Sequence, residues 1–347
     1  MNTVTVPQKQ SNSIIDIMKF VLALLIAALH AKVDIGFLFP LYRIAVPLFF
    51  ITSGYFLFGK LALTQNIAEK KAILRKSIIR NLQLYLFWFI VLLPVTLNNH
   101  TDWFSSTPLI NFLSFMKALL FGSTFAASWY ITATIIGTII VFFLSQKFHN
   151  RILLGIGLAV YFICCMLSNY YEIFRGITPI GYAYTAWLTL FGSFVNSFPA
   201  SIFWLILGKY FAETPYTPKR SYKWIALTGF LTLLAEHFII QKMGWVLIND
   251  CYLMLIPVCY ALFQFLRQFT YYSKFTVRLR NMSTIIYTLH FSVIPILQRY
   301  LHTSIGIENP VLNVAVFAIT ISICLLVSIL IFTLEKKKYF HWLRYAH

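Results

Sequence analysis

The sequence predicts an all-α integral membrane protein, a bundle of about ten transmembrane helices with both termini in the cytoplasm. The 347-residue chain is 59% hydrophobic and only 11% charged, whereas a typical soluble domain carries about 25% charged residues. Its apolar runs are about 20 residues long, the length a helix needs to cross a bilayer, and they lack the alternation of barrel strands. Lys and Arg cluster between these runs, as membrane insertion requires.

Polar breaks divide the chain into ten predicted spans. The spans cover residues 14–33, 39–59, 81–99, 126–146, 151–168, 187–212, 223–241, 245–266, 280–299 and 309–334. Gly and Pro residues within 176–200 leave a second possibility open for the sixth span, a broken or re-entrant segment followed by a shorter helix at 199–212. We expect a cytoplasmic N-terminal tail at 1–13, one transmembrane domain at 14–334 and a basic cytoplasmic tail at 335–347.

The distribution of positive charge predicts the orientation. Of the 28 Lys and Arg residues, 21 fall on one side of the ten spans and 6 on the other. The richer side is the cytoplasmic one in membrane proteins. The net charge of +18 therefore reflects insertion topology, and we expect no nucleic-acid partner. The predicted location is the bacterial cytoplasmic membrane, with lipids as the surroundings.

The five cysteines lie within or at the ends of apolar runs, and none has the CxxC spacing of a metal or redox site. We interpret them as small core residues and expect no metal.

The first span carries three polar groups on one stripe. Asp16 and Lys19 are three residues apart, and His30 follows eleven residues later, about three helical turns. Charged groups inside a membrane helix usually face the bundle interior and mark a functional site. A purely structural alternative is that Lys19 extends to the interface, Asp16 pairs with it and His30 marks the outer boundary.

The second span reads LYRIAVPLFFITSGYFLFGKL and combines Arg43, Pro47, Ser53 and Gly54 in an apolar helix. This segment resembles the R-x-x-V-P-L-F-F-x-x-S-G-Y signature of the acyltransferase 3 family, membrane enzymes that acylate extracytoplasmic glycans. Five other segments resemble family motifs in the expected order: the first span through its D-x-x-R…H pattern, KKAILRKSIIRNLQLY, SWYITATI, WLILGKY and NMSTIIYTLHFSVIPIL. Lys19 replaces the family's usual first-span arginine, and no proline follows Arg80 in the connector.

The resemblance implies an acyl-CoA donor, with acetyl-CoA as the expected substrate, and an acceptor that is a surface glycan or a lipid-linked oligosaccharide. His30 is the preferred base because imidazole titrates near neutral pH, and His290 is expected to orient or polarise the thioester. The predicted residues fall into three groups. The catalytic group is His30, His290 and Asp16; the donor-binding group is Lys19, Arg43, Arg75, Arg80, Ser53 and Tyr287; the acceptor-binding group is Trp129, Tyr130 and Glu236.

The leading hypothesis is therefore an O-acyltransferase, most simply an O-acetyltransferase, that modifies capsule, exopolysaccharide or wall polymer in the cell envelope. The alternative is a transporter or flippase in which Lys19, His30 and His290 form a proton or substrate path. A weaker third hypothesis is a membrane sensor or amino-acid-handling module with the same helical core.

Overall fold

The computed structural model describes residues 13–33, 39–99, 101–125, 128–269, 272–305 and 309–347, and most of these are helical, with no β-strand among them. All but the last residue of the predicted N-terminal tail therefore lies outside the described residues. The helices of the described chain are α1 (Ser13–His30), α2 (Phe39–Arg43), α3 (Ala45–Leu61), α4 (Ile67–Val91), α5 (Leu93–Asn99), α6 (Pro108–Phe121), α7 (Trp129–Lys147), α8 (Asn150–Met166), α9 (Tyr171–Phe174), α10 (Thr178–Phe191), α11 (Pro199–Glu213), α12 (Ser221–Met243), α13 (Leu255–Leu266), α14 (Lys274–Ile305) and α15 (Pro310–Leu334), with 3-10 helices at Thr101–Phe104 and Lys338–Ala346.

The centre of the bundle is α11. Twelve of its fifteen residues are buried, and it packs against α3, α8 and α7. Small residues permit the closest approach, because a Cβ on Gly208 would lie 2.2 Å from the carbonyl oxygen of Ile51 in α3. A Cβ on Gly54 would lie 2.5 Å from the carbonyl oxygen of Leu205 in α11. The two helices therefore pack backbone to backbone, as small residues allow in membranes.

α1 and α14 lie side by side and run in the same direction. At their N-terminal ends the Ser13 hydroxyl accepts a hydrogen bond of 2.8 Å from the backbone N–H of Ser273 and another of 2.8 Å from the hydroxyl of Thr276. Where α1 ends, beside the middle of α14, the rings of His30 and His290 are 5.3 Å apart. This parallel pairing brings the polar stripe of the first span against the late helix.

Five helical segments of the described chain are long and apolar enough to cross a membrane: α1, α2 with α3, α7, α12 and α15. Shorter apolar helices are α6, α8 and α13. The all-α prediction is thus confirmed for the described residues, and the five candidate spans agree with a multi-pass membrane protein. The count of ten spans and the cytoplasmic location of both termini stay predictions.

Two predicted spans are interrupted. The span predicted at 187–212 ends at Gly192, whose φ of +87° closes α10, and helix resumes at Pro199. This is the broken alternative left open for that region. The span predicted at 245–266 is helical only from Leu255, because Gly244 ends α12 in the left-handed region (φ +66°) and ten residues of irregular chain follow.

Other differences concern the ends of elements. The span predicted at 81–99 is the later part of α4 together with α5, and α4 itself begins at Ile67, where the Asn66 side chain accepts a hydrogen bond from the N–H of Ala68. The basic connector is therefore the first half of a helix. α6 and most of α10 lie outside every predicted span. The 3-10 helix Lys338–Ala346 packs on α4, where the indole of Trp88 donates to the carbonyl of Ala346 at 3.0 Å.

The contact between α3 and α11 gives a first test. We expect Gly208→Ala to lower the free energy of unfolding by about 1–3 kcal/mol, since the added Cβ meets backbone atoms that cannot move aside. Thermal unfolding of the detergent-solubilised protein measures the effect. Gly155→Ala in α8 is the matched control, because nothing lies within 4 Å of the added Cβ there. Equal melting temperatures for the two variants would contradict this packing.

Candidate active site

The polar stripes of α1 and α14 form one continuous line of side chains. Asp16, Lys19 and His30 lie on α1, and Arg280, Tyr287 and His290 lie on α14. The ten residues from Arg280 to His290 span about 15 Å along a helix. The line therefore has a charged end and a histidine end.

The charged end contains one carboxylate and three cations. Asp16 is 1% exposed, and its Oδ1 lies 3.7 Å from Nη1 of Arg280. Lys19 lies within electrostatic range of Asp16, Arg280 and Arg80, and its Nζ is 5.5 Å from the centre of the Phe56 ring. With these groups ionised, three positive charges stand against one negative charge.

This charged end also has unused hydrogen-bonding capacity. Asp16 Oδ2 and Arg280 Nε are buried, and neither has a hydrogen-bond partner among the described residues. Leaving such atoms unpartnered is unfavourable in a protein interior. The excess positive charge and the open guanidinium nitrogen together suit an anionic ligand.

The histidine end is tightly packed. The His30 ring lies 5.3 Å from that of His290 and meets the Phe291 ring edge-on at 4.7 Å. His290 is fully buried, and its Nδ1 lies 2.8 Å from the carbonyl oxygen of Ile286. Its Nε2 is buried and has no partner in the described part of the chain. His30 is partly buried.

Aromatic residues fill the space between the two ends. The Tyr287 ring lies 5.4 Å from that of Tyr130 and 6.3 Å from that of Phe49. The Tyr130 hydroxyl lies 3.3 Å from the Ser53 hydroxyl, and the Tyr130 and Trp129 rings pack against Phe50. Trp129 and Tyr130, predicted as acceptor ligands, thus lie beside Ser53 and Tyr287, predicted as donor ligands.

The start of α7 is positioned by the loop before it. The Ser128 hydroxyl accepts hydrogen bonds from the backbone N–H groups of Thr124 and Phe125, and the Ser123 hydroxyl accepts one from the N–H of Trp129 at 3.2 Å. The Ser123 oxygen thereby replaces one missing partner at the helix N-terminus, whereas the Ser128 oxygen ties the loop before the helix to its first turn. The motif SWY therefore orients the Trp129 and Tyr130 rings toward α3.

Arg43 lies apart from the charged end. It forms an ion pair with Asp250, stacks over the Phe39 ring at 5.0 Å, and lies within electrostatic range of His30. Arg43 follows α1, whose last residue is His30, and its role as a donor ligand stays a prediction. Arg43 therefore belongs to the histidine end.

The irregular segment 244–254 holds Asp250 in place. The Asn169 amide oxygen accepts hydrogen bonds from the backbone N–H groups of Asp250 and Cys251, at 3.0 and 3.1 Å. Tyr161 donates to the carbonyl of Tyr252 at 2.7 Å. Backbone groups that a regular helix would pair are thus paired with side chains, as a membrane-embedded chain requires.

Glu236, predicted to bind the acceptor, makes internal hydrogen bonds with both carboxylate oxygens. The backbone N–H groups of Leu253 and Met254 donate at 2.7 and 2.8 Å, and Tyr170 donates at 2.5 Å. These contacts place a negative charge at the N-terminus of α13, where the helix dipole favours it. The contacts found for Glu236 are therefore structural, and an acceptor role stays a prediction.

Arg75 and Arg80, both predicted donor ligands, separate in space. Arg80 lies near Arg280, whereas Arg75 lies on the exposed face of α4 in a shallow groove with Lys71 and Lys76. Arg280 was missed as a candidate because it was counted only as a topological charge. The spacing of Arg280, Ser283, Tyr287 and His290 places all four on one helical face, and this signal could have identified it.

Metal binding was expected to play no part in this protein. Among the described residues that were searched, no three His, Cys, Asp or Glu side chains lie close enough to hold a metal ion. The five cysteines are all buried and free.

The role of Glu236 gives a second test. We expect Glu236→Gln to lower the free energy of unfolding by about 1–3 kcal/mol, because an amide loses the charge and cannot accept at both positions. Glu172→Gln is the control, since that carboxylate forms only a partly exposed pair with Arg175, worth at most about 1 kcal/mol. Melting temperatures of both variants measure the difference. A Glu236→Gln variant as stable as the control would contradict the assignment.

The chain is similar to three curated proteins that are named as racemases. The chain is 28% identical to an amino-acid racemase of Enterococcus faecalis over 96% of its own length and 47% of the relative's. It is 24% identical to a second amino-acid racemase of that organism, over 93% of this chain and 46% of the relative. A serine/alanine racemase of Enterococcus gallinarum shares 24% identity over 64% of this chain and 32% of the relative.

The chain thus spans about half the length of the first two curated relatives it matches. No solved structure matches it at a significant level. The model of the acyltransferase domain of the acyltransferase 3 family matches residues 12–332, which contain every element of the site described above. The protein is a multi-pass membrane protein that belongs to the acyltransferase 3 family.

Proposed function

We propose that the protein is a membrane O-acyltransferase that transfers an acyl group, most simply acetyl, from cytoplasmic acyl-CoA to a hydroxyl of an extracytoplasmic glycan. The family supports the reaction class. One observation carries the proposal. Two parallel helices place a net-positive cluster with unpartnered buried polar atoms about 15 Å from the imidazoles of His30 and His290, on the same line of side chains. Such a line can hold the two ends of one extended donor.

The charged end fits the phosphates of coenzyme A. Lys19, Arg80 and Arg280 supply cations, and Arg280 offers a planar guanidinium that can bind phosphate through two parallel hydrogen bonds. Asp16 compensates part of this charge when no ligand is bound. The positive-inside rule puts this end at the cytoplasmic face, where acyl-CoA is available.

The aromatic cluster fits the arm and thioester of the donor. Tyr287, Tyr130 and Phe49 give an apolar lining interrupted by hydroxyl groups, and the Ser53 hydroxyl lies within hydrogen-bonding distance of Tyr130. Hydroxyl donors near a thioester carbonyl can stabilise the oxyanion that develops on it. We therefore place the arm along this cluster, with the thioester at the imidazole pair.

The acceptor hydroxyl would reach the imidazole pair from the end that carries Arg43 and Asp250. Partly exposed planar polar groups lie here beside aromatic rings, for example Phe39 stacked on His237 at 5.5 Å. Such a combination can hydrogen-bond and stack on a sugar. A capsule, exopolysaccharide or wall polymer is the expected acceptor, and a lipid-linked oligosaccharide is the alternative source of the same hydroxyl.

A second function is favoured by the relatives. They are named amino-acid racemases, so a membrane module that handles amino acids is the competing proposal. A transporter or flippase would use the same titratable line as a path. Two predicted spans are broken, near Gly192 and Gly244, as transporter helices often are, but no inverted repeat is evident in the sequence.

Donor binding tests the charged end. We expect Arg280→Gln to weaken acetyl-CoA binding at least tenfold, because the loss of one charge-assisted hydrogen bond costs about 1.5–3 kcal/mol. Isothermal titration of the nanodisc-embedded protein measures the affinity. Arg278→Gln on the same helix is the matched control, since its side chain is exposed, and we expect less than a twofold change. Equal losses in the two variants would mean that general surface charge holds the donor.

The reaction itself is tested by reconstitution. We expect wild-type proteoliposomes to release CoA from acetyl-CoA when a sugar with free hydroxyl groups is supplied, and not to take up labelled serine or alanine. In cells, deletion should lower the acetyl content of the surface glycan without changing the amount exported. Amino-acid uptake without CoA release favours the second function, and lost export with unchanged acetylation favours the flippase.

A further inference from the structure

We propose that residues 336–346, which follow the last span, form a surface that binds anionic lipid headgroups at the edge of the membrane. These residues are named the basic-aromatic segment. The segment lies outside residues 12–332, which the family model matches, and the inference does not depend on the proposed function. Its basis is a 3-10 helix whose inner side packs on the bundle and whose outer side presents cations together with aromatic rings.

The inner side of the basic-aromatic segment is held against α4 and α15. Leu343 and Ala346 are buried, and the carbonyl of Ala346 accepts a hydrogen bond of 3.0 Å from the indole of Trp88. Next to the segment, the imidazole of His347 lies 3.0 Å from the carboxylate of Glu335. The segment therefore folds back along the bundle instead of projecting away from the end of α15.

This packing fixes the depth of the segment relative to the last span. Leu343 and Ala346 belong to the same buried apolar cluster as Trp88 of α4 and Ile331 of α15. Ile331 lies in the last turn of α15, which ends at Leu334. Because α15 is long and apolar enough to cross a membrane, its last turn lies where the hydrocarbon core gives way to headgroups. The segment is therefore at the level of the headgroups.

The outer side carries aromatic rings. Tyr339 is 87% exposed, Trp342 50% and Phe340 38%. The Trp342 ring is also fixed in place, because its centre lies 5.6 Å from that of the Phe87 ring. Contact of such large rings with water is unfavourable, whereas Trp and Tyr are enriched at the boundary between lipid and water, since each has an apolar body and a polar group. The rings therefore favour a lipid surface as the partner.

The charge of the segment selects the kind of lipid. Its exposed cations are Lys336, Lys337, Lys338 and Arg344. None of them forms an ion pair with a carboxylate among the described residues. Glu335 has the one carboxylate side chain within 335–347, and it is already paired with His347. Cations beside a span attract anionic headgroups. The segment therefore favours an anionic lipid such as phosphatidylglycerol over a zwitterionic one.

Quenching of Trp342 fluorescence by brominated lipids tests this surface. The full chain is placed in phosphatidylcholine nanodiscs that contain a varied fraction of lipid with brominated chains, either phosphatidylglycerol or phosphatidylcholine. The Trp342 signal is the difference between the wild type and Trp342→Phe. We expect brominated phosphatidylglycerol to quench this signal with about tenfold higher apparent affinity, because several cations each contribute to the attraction. This preference should fall as salt is added.

Two triple variants separate local charge from general surface charge. The first combines Lys336→Gln, Lys337→Gln and Lys338→Gln. We expect it to reduce the preference for phosphatidylglycerol to less than threefold. The matched control removes three other exposed cations that precede a span, and it combines Lys219→Gln, Arg220→Gln and Lys223→Gln. We expect the preference measured at Trp342 to be unchanged in this control.

The rings are tested separately from the charges. Tyr339→Ser should weaken quenching by both brominated lipids, because the segment loses an anchor in the interface, while the preference for phosphatidylglycerol remains. Tyr339 is the most exposed of the three rings, so this variant keeps the inner packing. Unchanged quenching by both lipids in Tyr339→Ser would contradict the interfacial position of the ring.

Three outcomes would overturn the inference. The first is equal quenching of wild-type Trp342 by the two lipids at low salt. The second is an equal loss of preference in the two triple variants, which would show that general surface charge attracts the lipid. The third is the absence of quenching by either lipid, which would mean that the segment faces water or a protein partner. If the first triple variant melts at a lower temperature than the wild type, the salt dependence of the wild type still tests the charge.

Discussion

The parallel contact between α1 and α14 is the interaction on which the site depends. A lipid-embedded chain has no water to satisfy polar groups, so charged side chains in a span must face other protein. The Ser13 hydroxyl, bonded to Ser273 and Thr276, sets the relative height of the two helices at one end. Asp16 lies three residues beyond Ser13, and Arg280 lies four residues beyond Thr276, so the same direction and rise bring these two side chains together. Farther along the pair of helices, the rings of His30 and His290 meet.

The remainder of the bundle supports this line with two different kinds of packing. α11 contacts α3 through glycines, so the two backbones touch and the position of α3 relative to α11 is fixed. This contact therefore also fixes the residues of α3 that contact Tyr130, including Ser53 and Phe50. The histidine end is instead supported by irregular chain whose backbone groups bond to side chains such as Asn169 and Glu236. Regular helices thus position the aromatic cluster, and irregular chain shapes the histidine end.

The sequence predicted the part of this arrangement that depends on one helix. The stripe of Asp16, Lys19 and His30 follows from helical spacing, and the all-α fold follows from hydropathy. Contacts between distant helices could not be obtained in this way. Arg43 was predicted as a donor ligand because it lies in or beside a span, whereas its partner Asp250 comes from a segment that hydropathy places inside a helix. Arg280 was counted only as a topological charge, because the positive-inside rule already explains a cation near the end of a span.

Hydropathy alone could not locate the breaks in two predicted spans for a similar reason. Hydropathy measures how apolar a window is, and the windows at 187–212 and 245–266 are apolar throughout. The breaks depend on Gly192 and Gly244, which adopt positive φ values, and on distant side chains that satisfy the exposed backbone groups. A glycine can occupy a helix interior equally well, as Gly208 does, so the residue alone does not distinguish a break from close packing.

Lys19 illustrates how the three-dimensional arrangement changes the meaning of a substitution. An ammonium cannot form the paired hydrogen bonds of the arginine that usually occupies this place in the family. In this chain the guanidinium of Arg280 lies beside it and beside Asp16, so the cluster contains a planar donor group from α14. One carboxylate among three cations lowers the repulsion between them when the site is empty, and the remaining positive charge favours an anion. Removing that carboxylate would leave the three cations uncompensated, so Asp16 sets the net charge of the cluster.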